Sequence, residues 1–493
     1  MPEAFNIRDI SRRHLLQAGA ASAGGLALTW ANGNHVHASE AGTAFGQAKA
    51  CILLFPFGSP PQHETFDPKP DAPTEIQGEL KAIDSSLPGV QVGELMPKTS
   101  RVMDRLTIVR SMSHPYPLHG VAYALTGMPT YTPEIEARPR DPQHWPYIGS
   151  IVQYFADQKA GHETLVPRHI GLPWPLNSRV EDNSLLAGPY AAFLGQSYDP
   201  VWADFEGKAT TIAPKLTDGQ SKEFLDPYCG VAPESLFTFR GAGTLPEAMT
   251  PDRMQRRQML LGRLDDGSAL PANLAARVQA YDQNRSTAMS LVLSDEVRQA
   301  LDIRREPTSL RERYGQTLFG QSCLAARRLV EAGSQFVTVF WDPFGLFGGG
   351  AWDTHANHYP RLKQELMPGF DPAYAALITD LEDRGMLDST LVVWMSEHGR
   401  TPQIDSKPKG AGRHHWSRVY SAALAGGGSR RGAVVGRSDK NGGDVLETPV
   451  SPKDLQATMY HLLGISPEAT VPDRLGRPYA IAGEGRVRYE LIG

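Results

Sequence analysis

Cysteine is almost missing: Cys51, Cys229 and Cys323 are the only three in 493 residues. Three widely spaced thiols exclude a dense disulfide framework and a zinc knuckle, so the expectation is buried thiols, with one disulfide as the alternative. Basic runs are missing as well. Forty-nine Lys and Arg stand against 54 Asp and Glu, a formal net charge of -5, which leaves no composition-level case for nucleic acid or for a cationic partner. Past the first forty residues, no apolar stretch approaches the roughly 20 residues of a membrane span. What is there, 41% apolar and 21% charged, suits a globular chain with an ample core. Its length allows two or three domains, or one large α/β sheet with insertions.

The N-terminus carries the sharpest local signal. Ser11, Arg12, Arg13, His14, Leu15 and Leu16 read S-R-R-x-L-L, followed by a weakly apolar Ala, Gly and Leu stretch from Leu15 to Trp30. That stretch is too short and too rich in glycine to span a bilayer. Val36, His37 and Ala38 supply a cleavage point. The expectation is a twin-arginine signal over residues 1–38 and a folded, periplasmic or secreted protein of residues 39–493. Cofactor- and metal-bearing proteins commonly use that route, which favours a metal before any site is considered.

From Lys49 the sequence reads as core. Cys51 to Phe57 is a continuous apolar run halted by Gly58, Ser59, Pro60 and Pro61, the pattern of a buried parallel strand opening into a loop. Leu106 to Val109, Phe336 to Trp341, Leu391 to Met395 and Ala422 to Ala425 read as further strands, and Asp371–Arg384 and Asp454–Leu463 as helices. Between them, Tyr131 to about Leu245 shows little periodicity and reads as an irregular cap. Helical spacing follows through Arg256–Leu264, Ala272–Leu293 and Tyr314–Glu331. The fold class expected is α/β: a mostly parallel central sheet flanked by helices, assembled from both ends of the chain, with a large irregular and helical insertion over residues 131–332.

Chemistry concentrates in three loops of the last third: Trp352 to His358, Ser396 to Arg400, and Gly412 to Trp416. Five of the fifteen histidines, His355, His358, His398, His414 and His415, fall in them, beside Asp353 and Glu397. Carboxylates and imidazoles at strand ends are ligand chemistry for a divalent metal, and strand-end loops are where α/β folds place their sites. His119 either joins such a site, as ligand or as acid and base, or caps the helix running to Leu125. Arg110, Arg400 and Arg413 are candidates to clamp an anion in bidentate fashion.

The order of these parts, including Gly58–Asp67, Lys69, Pro70, Arg110, Ser111, His119, Thr126–Gly127, Trp352–His355, Leu391–Pro402, Gly412–Trp416 and Pro449–Pro452, resembles the alkaline phosphatase and sulfatase superfamily. More closely, it resembles a large group of uncharacterised bacterial proteins exported by the twin-arginine route and thought to share that fold. The resemblance implies an alkaline phosphatase-like sheet with a bimetal hydrolase site above its carboxyl edge. Glu397 and His398 match an Asp-His pair of that superfamily, Asp353 with His355 or His358 matches the Asp and His of the other metal, His415 the last His, and Glu64 or Asp67 the early acid.

The superfamily nucleophile, a Cys, Ser or Thr shortly before Thr126, has no counterpart in Tyr116 to Gly120; Ser111, Ser113 and Ser59 are substitutes in sequence only. Metal-activated water needs no such residue, because coordination lowers the pKa of water to about 7. The implied function is a metal-dependent hydrolase of phosphate or sulfate esters. Its cofactor would be a divalent metal such as zinc, manganese or calcium, its substrate a small or glycan-linked anionic ester, and its catalytic residues His119, Ser111, Arg110 and Arg400. The alternative is a non-catalytic binding protein that kept the fold and lost the nucleophile.

Overall fold

The structure, a computed structural model, describes residues 44–116, 119–128, 133–160, 166–180, 185–217, 220–239, 294–345, 350–473 and 475–493, with isolated positions between 253 and 288. The expected signal over residues 1–38 lies outside the described residues, as do nearly all of the expected helices at Arg256–Leu264 and Ala272–Leu293. Gly46–Gly493 forms one compact unit.

Nine strands build the central sheet: β1 (Ala50–Pro56), β2 (Leu106–Met112), β3 (His169–Leu172), β4 (Val201–Glu206), β5 (Leu236–Phe239), β6 (Phe336–Trp341), β7 (Thr390–Trp394), β8 (Tyr420–Ala425) and β9 (Ala433–Val435). Their order is β9-β2-β8-β7-β1-β6-β3-β4-β5. The run β7-β1-β6-β3-β4 is parallel throughout, and only β8 and β5 run against their neighbours. The sheet is thus the mostly parallel one expected, assembled from both ends of the chain.

β1 sits in the middle and is buried along its whole length, which is why its sequence is continuously apolar rather than alternating. Helices cover both faces. Successive strand side chains point to opposite sides: Thr338 reaches the hydroxyl of Tyr147, just ahead of helix α1 (Ile148–Ala160), whereas Trp341, of opposite parity, packs on Phe319 of helix α2 (Leu318–Glu331). Helix α3 (Met367–Asp383) packs on α2, and helix α4 (Pro452–Leu462) begins with a Ser451–Asp454 capping box.

Two expectations need correction. The segment read as an irregular cap supplies α1 and three strands of the main sheet, β3, β4 and β5; its many Pro and Gly residues mask strands of only four to six residues. The helix expected from Tyr314 to Glu331 is broken at Gly315, whose φ of 86 ends one helix before Thr317 caps α2. Cys51, Cys229 and Cys323 form no disulfide; Cys51 and Cys323 are buried and Cys229 is half-buried.

Candidate metal centre

The topology brings distant loops to one edge. β1, β6, β7 and β2 all end there, and antiparallel β8 begins there, so the loops after four strands and before a fifth face the same space. The strand ends are level: Leu54 pairs with Trp394 and Pro56 with Trp341. From these ends come Gly58, His119, Asp353 with His355, Glu397 with His398, and His415.

Asp353 is the focus. Its Oδ1 lies 3.0 Å from His355 Nε2, 3.4 Å from His415 Nε2 and 3.5 Å from His119 Nε2. His355 Nε2 and His415 Nε2 are themselves 2.9 Å apart. These four residues form one group able to hold a metal ion, and His119, Glu397 and His398 form a second. A neutral imidazole has one lone pair and one N–H, so His119 can ligate in one group at a time. With Nε2 turned to the first group, its Nδ1–H donates to Glu397 Oε1 at 2.7 Å, the carboxylate–histidine arrangement that orients metal ligands.

Glu397 is fully buried and held from three sides. Gly58 N donates to Oε1 at 2.8 Å, Ser396 Oγ lies 2.7 Å from Oε2, and His114 Nε2 lies 2.7 Å from the main-chain oxygen. Gly58 has φ of 95, and a Cβ there would stand 2.4 Å from Asp353 N, so only glycine lets the β1 loop pass this close to both acids. Buried His398 bonds Gly399 O through Nδ1 at 2.8 Å, and its Nε2 has no hydrogen-bond partner among the described residues. The carbonyl fixes the proton on Nδ1 and leaves a buried lone pair, which is the state a metal ligand requires.

Electrostatics agree with this reading. Burial acts to raise Asp353, but Arg400 and then hydrogen bonds from His119, His355 and His415 hold its carboxyl far below the usual range. Burial acts to lower His119, but hydrogen bonds and charge from Asp353 and Glu397 push it up to about 9. His398 falls well below the ordinary histidine value because of burial and the neighbouring positive charges of His119 and Arg400. The two carboxylates therefore draw a positive charge to the point between them, beside ring nitrogens of His355 and His415 and the lone pair of His398. Three imidazoles and a carboxylate fit a divalent transition metal.

The structure keeps the remaining candidates out of both groups. Glu64 is paired with Arg413 at 2.7 Å, both buried, and its other oxygen lies 3.5 Å from His358, which also bonds Thr354. Asp67 pairs with Lys69 at 2.9 Å and Arg110 at 3.5 Å, and Arg110 also donates to the carbonyls of Phe66 and Gln91. Arg400 is no free clamp: it is fully buried and donates to Asp353 Oδ1 and to the carbonyls of Ser59, Gly58, Trp352 and Arg413. Ser111 Oγ, also buried, donates to Thr448 O at 2.6 Å. Ser111→Ala is accordingly expected to cost about 1–3 kcal/mol in denaturant unfolding, by leaving that carbonyl unmatched, with metal content unchanged.

His119 does not cap its helix. The N-cap is Gly120, with no side-chain cap bond, and the amide of Ala122 is taken by Glu136. The sequence reading missed His114, Ser396 and the amide of Gly58 as supports of Glu397. The Ser-Glu-His-Gly order at a strand end signalled Ser396 alone.

Residues 48–492 match the family described as Protein of unknown function (DUF1501). The chain belongs to that family. No curated protein matches it. Among solved structures, this DUF1501 protein is similar to the PsFucS1 sulfatase from Pseudoalteromonas sp., at 10% identity and a TM-score of 0.35, over 88% of this chain and 70% of that one. It is similar to a protein in the alkaline phosphatase superfamily from Vibrio parahaemolyticus, at 10% identity and TM-score 0.33, over 89% and 69%. A third is the phosphonate monoester hydrolase SpPMH from Silicibacter pomeroyi, at 12% and 0.32, over 89% and 75%. Such distant likeness carries no weight for activity, which must be argued from the site.

Proposed function

We propose that this DUF1501 protein is a metal-dependent hydrolase of phosphate or sulfate esters, exported folded by the twin-arginine route to the periplasm or beyond. The observation that carries the reading is the convergence of His119, Asp353, His355 and His415 on one point at the carboxyl edge of the sheet. A divalent cation there would polarise an ester oxygen and lower the pKa of water to about 7. The chain's residues hold and orient. Asp353 and the three imidazoles would grip the ion, Glu397 would fix the ring of His119, and His398 would present a lone pair at Nε2. The nitrogen-rich set suits zinc, manganese or iron; calcium, which takes oxygen ligands, does not fit. The first group is half-buried, with His355 35% and His119 24% exposed, so a small anionic ester can reach it.

A second reading has one observation in its favour. Tyr116 to Gly120 holds no Cys, Ser or Thr, which suits a binding protein that kept a metal without covalent catalysis. Metal analysis of protein purified after export, followed by assay against aryl phosphate and aryl sulfate, separates the two. The proposal expects at least one transition-metal ion per chain, and turnover that a chelator removes and the metal restores. Bound metal with no turnover of either ester supports the binding protein, and no bound metal defeats both.

A further inference from the structure

We propose that His414 and Asp405, which belong to neither ligand group, form an outer relay that sets the tautomer of His355 and turns its Nε2 lone pair into the centre. The inference rests on the metal-centre reading above and adds two positioning residues to it. Asp405 Oδ2 lies 3.1 Å from His414 Nε2, and His414 Nδ1 lies 2.8 Å from His355 Nδ1. The line of contacts therefore runs from a carboxylate through one imidazole to a second, whose far nitrogen is 3.0 Å from Asp353 and 2.9 Å from His415 Nε2.

Proton counting gives the chain its direction. Asp405 is pinned, because its Oδ1 accepts from Lys407 N at 3.0 Å and its main chain pairs with Gly412. Oδ2 is left as an acceptor facing His414, so His414 Nε2 carries the proton. A neutral His414 then has a bare Nδ1, and a bare nitrogen 2.8 Å from His355 Nδ1 requires the proton to sit on His355 Nδ1. His355 Nε2 is left as a lone pair facing the Asp353 carboxylate and His415 Nε2. That lone pair and the Asp353 carboxylate, 3.0 Å apart, repel unless a positive charge lies between them. The opposite tautomer would place the His414 Nε2 lone pair against the Asp405 carboxylate.

The backbone holds this geometry without help from the relay. His414 N donates to Thr401 Oγ1, Thr401 N to His414 O, and the strands Gly399–Arg400 and His415–Trp416 pair. His414 is 47% and Asp405 30% exposed, so truncating either leaves the fold intact.

The test is zinc affinity of the full-length exported protein, measured by titration with Zn²⁺ alone, together with the ¹H–¹⁵N resonance of the His355 Nδ1–H in the zinc-loaded protein. His414→Ala and Asp405→Ala are expected to weaken zinc about 10- to 100-fold, the usual effect of removing an outer partner. In His414→Ala the exchange-protected Nδ1–H signal is expected to vanish. His414→Asn keeps an acceptor near the Nδ1 position and is expected to restore both the affinity and the signal. If wild type binds zinc and His414→Ala binds it equally with the signal unchanged, the relay is wrong and the centre stands. Wild type that binds no zinc overturns both.

Discussion

His119→Ala is expected to remove bound metal and ester hydrolysis together, with zinc affinity reduced by well over a hundredfold. The residue belongs to both ligand groups, and its ring is held by stacking on Phe57 at 5.3 Å between ring centres. Outer partners of metal ligands are each worth about 10- to 100-fold in affinity, and loss of a direct ligand must exceed that. The variant also removes the group that stands between the Asp353 and Glu397 carboxylates, so repulsion between them is no longer relieved by a proton or an ion. Because His119 is the partner of fully buried Glu397, the variant should also unfold at lower denaturant than the metal-free parent. Retention of full metal content would remove His119 from the centre.

The second large effect is on stability. Arg413→Leu is expected to destabilise the protein by about 3–5 kcal/mol, the usual result of leaving one member of a buried pair behind. Arg413 and Glu64 are 0% and 1% exposed, and the guanidinium binds Glu64 Oε1 through two nitrogens at 2.7 and 3.0 Å. Burial raises Glu64, but Arg413 and then His358 hold it well below the ordinary carboxylate value. Its charge is therefore kept in the interior for as long as Arg413 is present. Urea unfolding of the single variant and of Arg413→Leu with Glu64→Leu separates the effects: the double variant should recover most of the loss, since removing both charges of a buried pair is often close to neutral. If the single variant unfolds as easily as the parent, Glu64 is not held as a buried ion and its assignment outside the centre fails.

These two residues also mark how far the sequence could be read. The strands were legible because a central parallel strand is apolar at every position, as in β1 and β7, and because Gly, Pro and polar residues stop each run at the edge where the loops converge. Asp353, Glu397, His398 and His415 stood out for the same reason. The choice between His355 and His358 was not legible: Asn357 takes a left-handed turn with φ of 51, and this sends His358 into the interior against Thr354 while His355 stays at the centre. Glu64, Asp67, Arg110 and Arg400 looked like site residues because charged side chains beside a strand end resemble ligands and clamps. Apart from Lys69, which neighbours Asp67 in sequence, their partners lie tens to hundreds of positions away, Arg413 for Glu64 and Asp353 for Arg400, and no local pattern reports such pairing. The strands β3, β4 and β5 were hidden because short strands near the sheet edge lack a run long enough to show a period.

The direct test of the account is the position of the metal in crystals of the purified protein, located by anomalous scattering. The account predicts a peak about 2.0–2.2 Å from His119 Nε2, His355 Nε2, His415 Nε2 and an oxygen of Asp353. Imidazoles that keep their mutual contacts with no ion among them, or an ion bound at Glu64 or Asp67 instead, would contradict it.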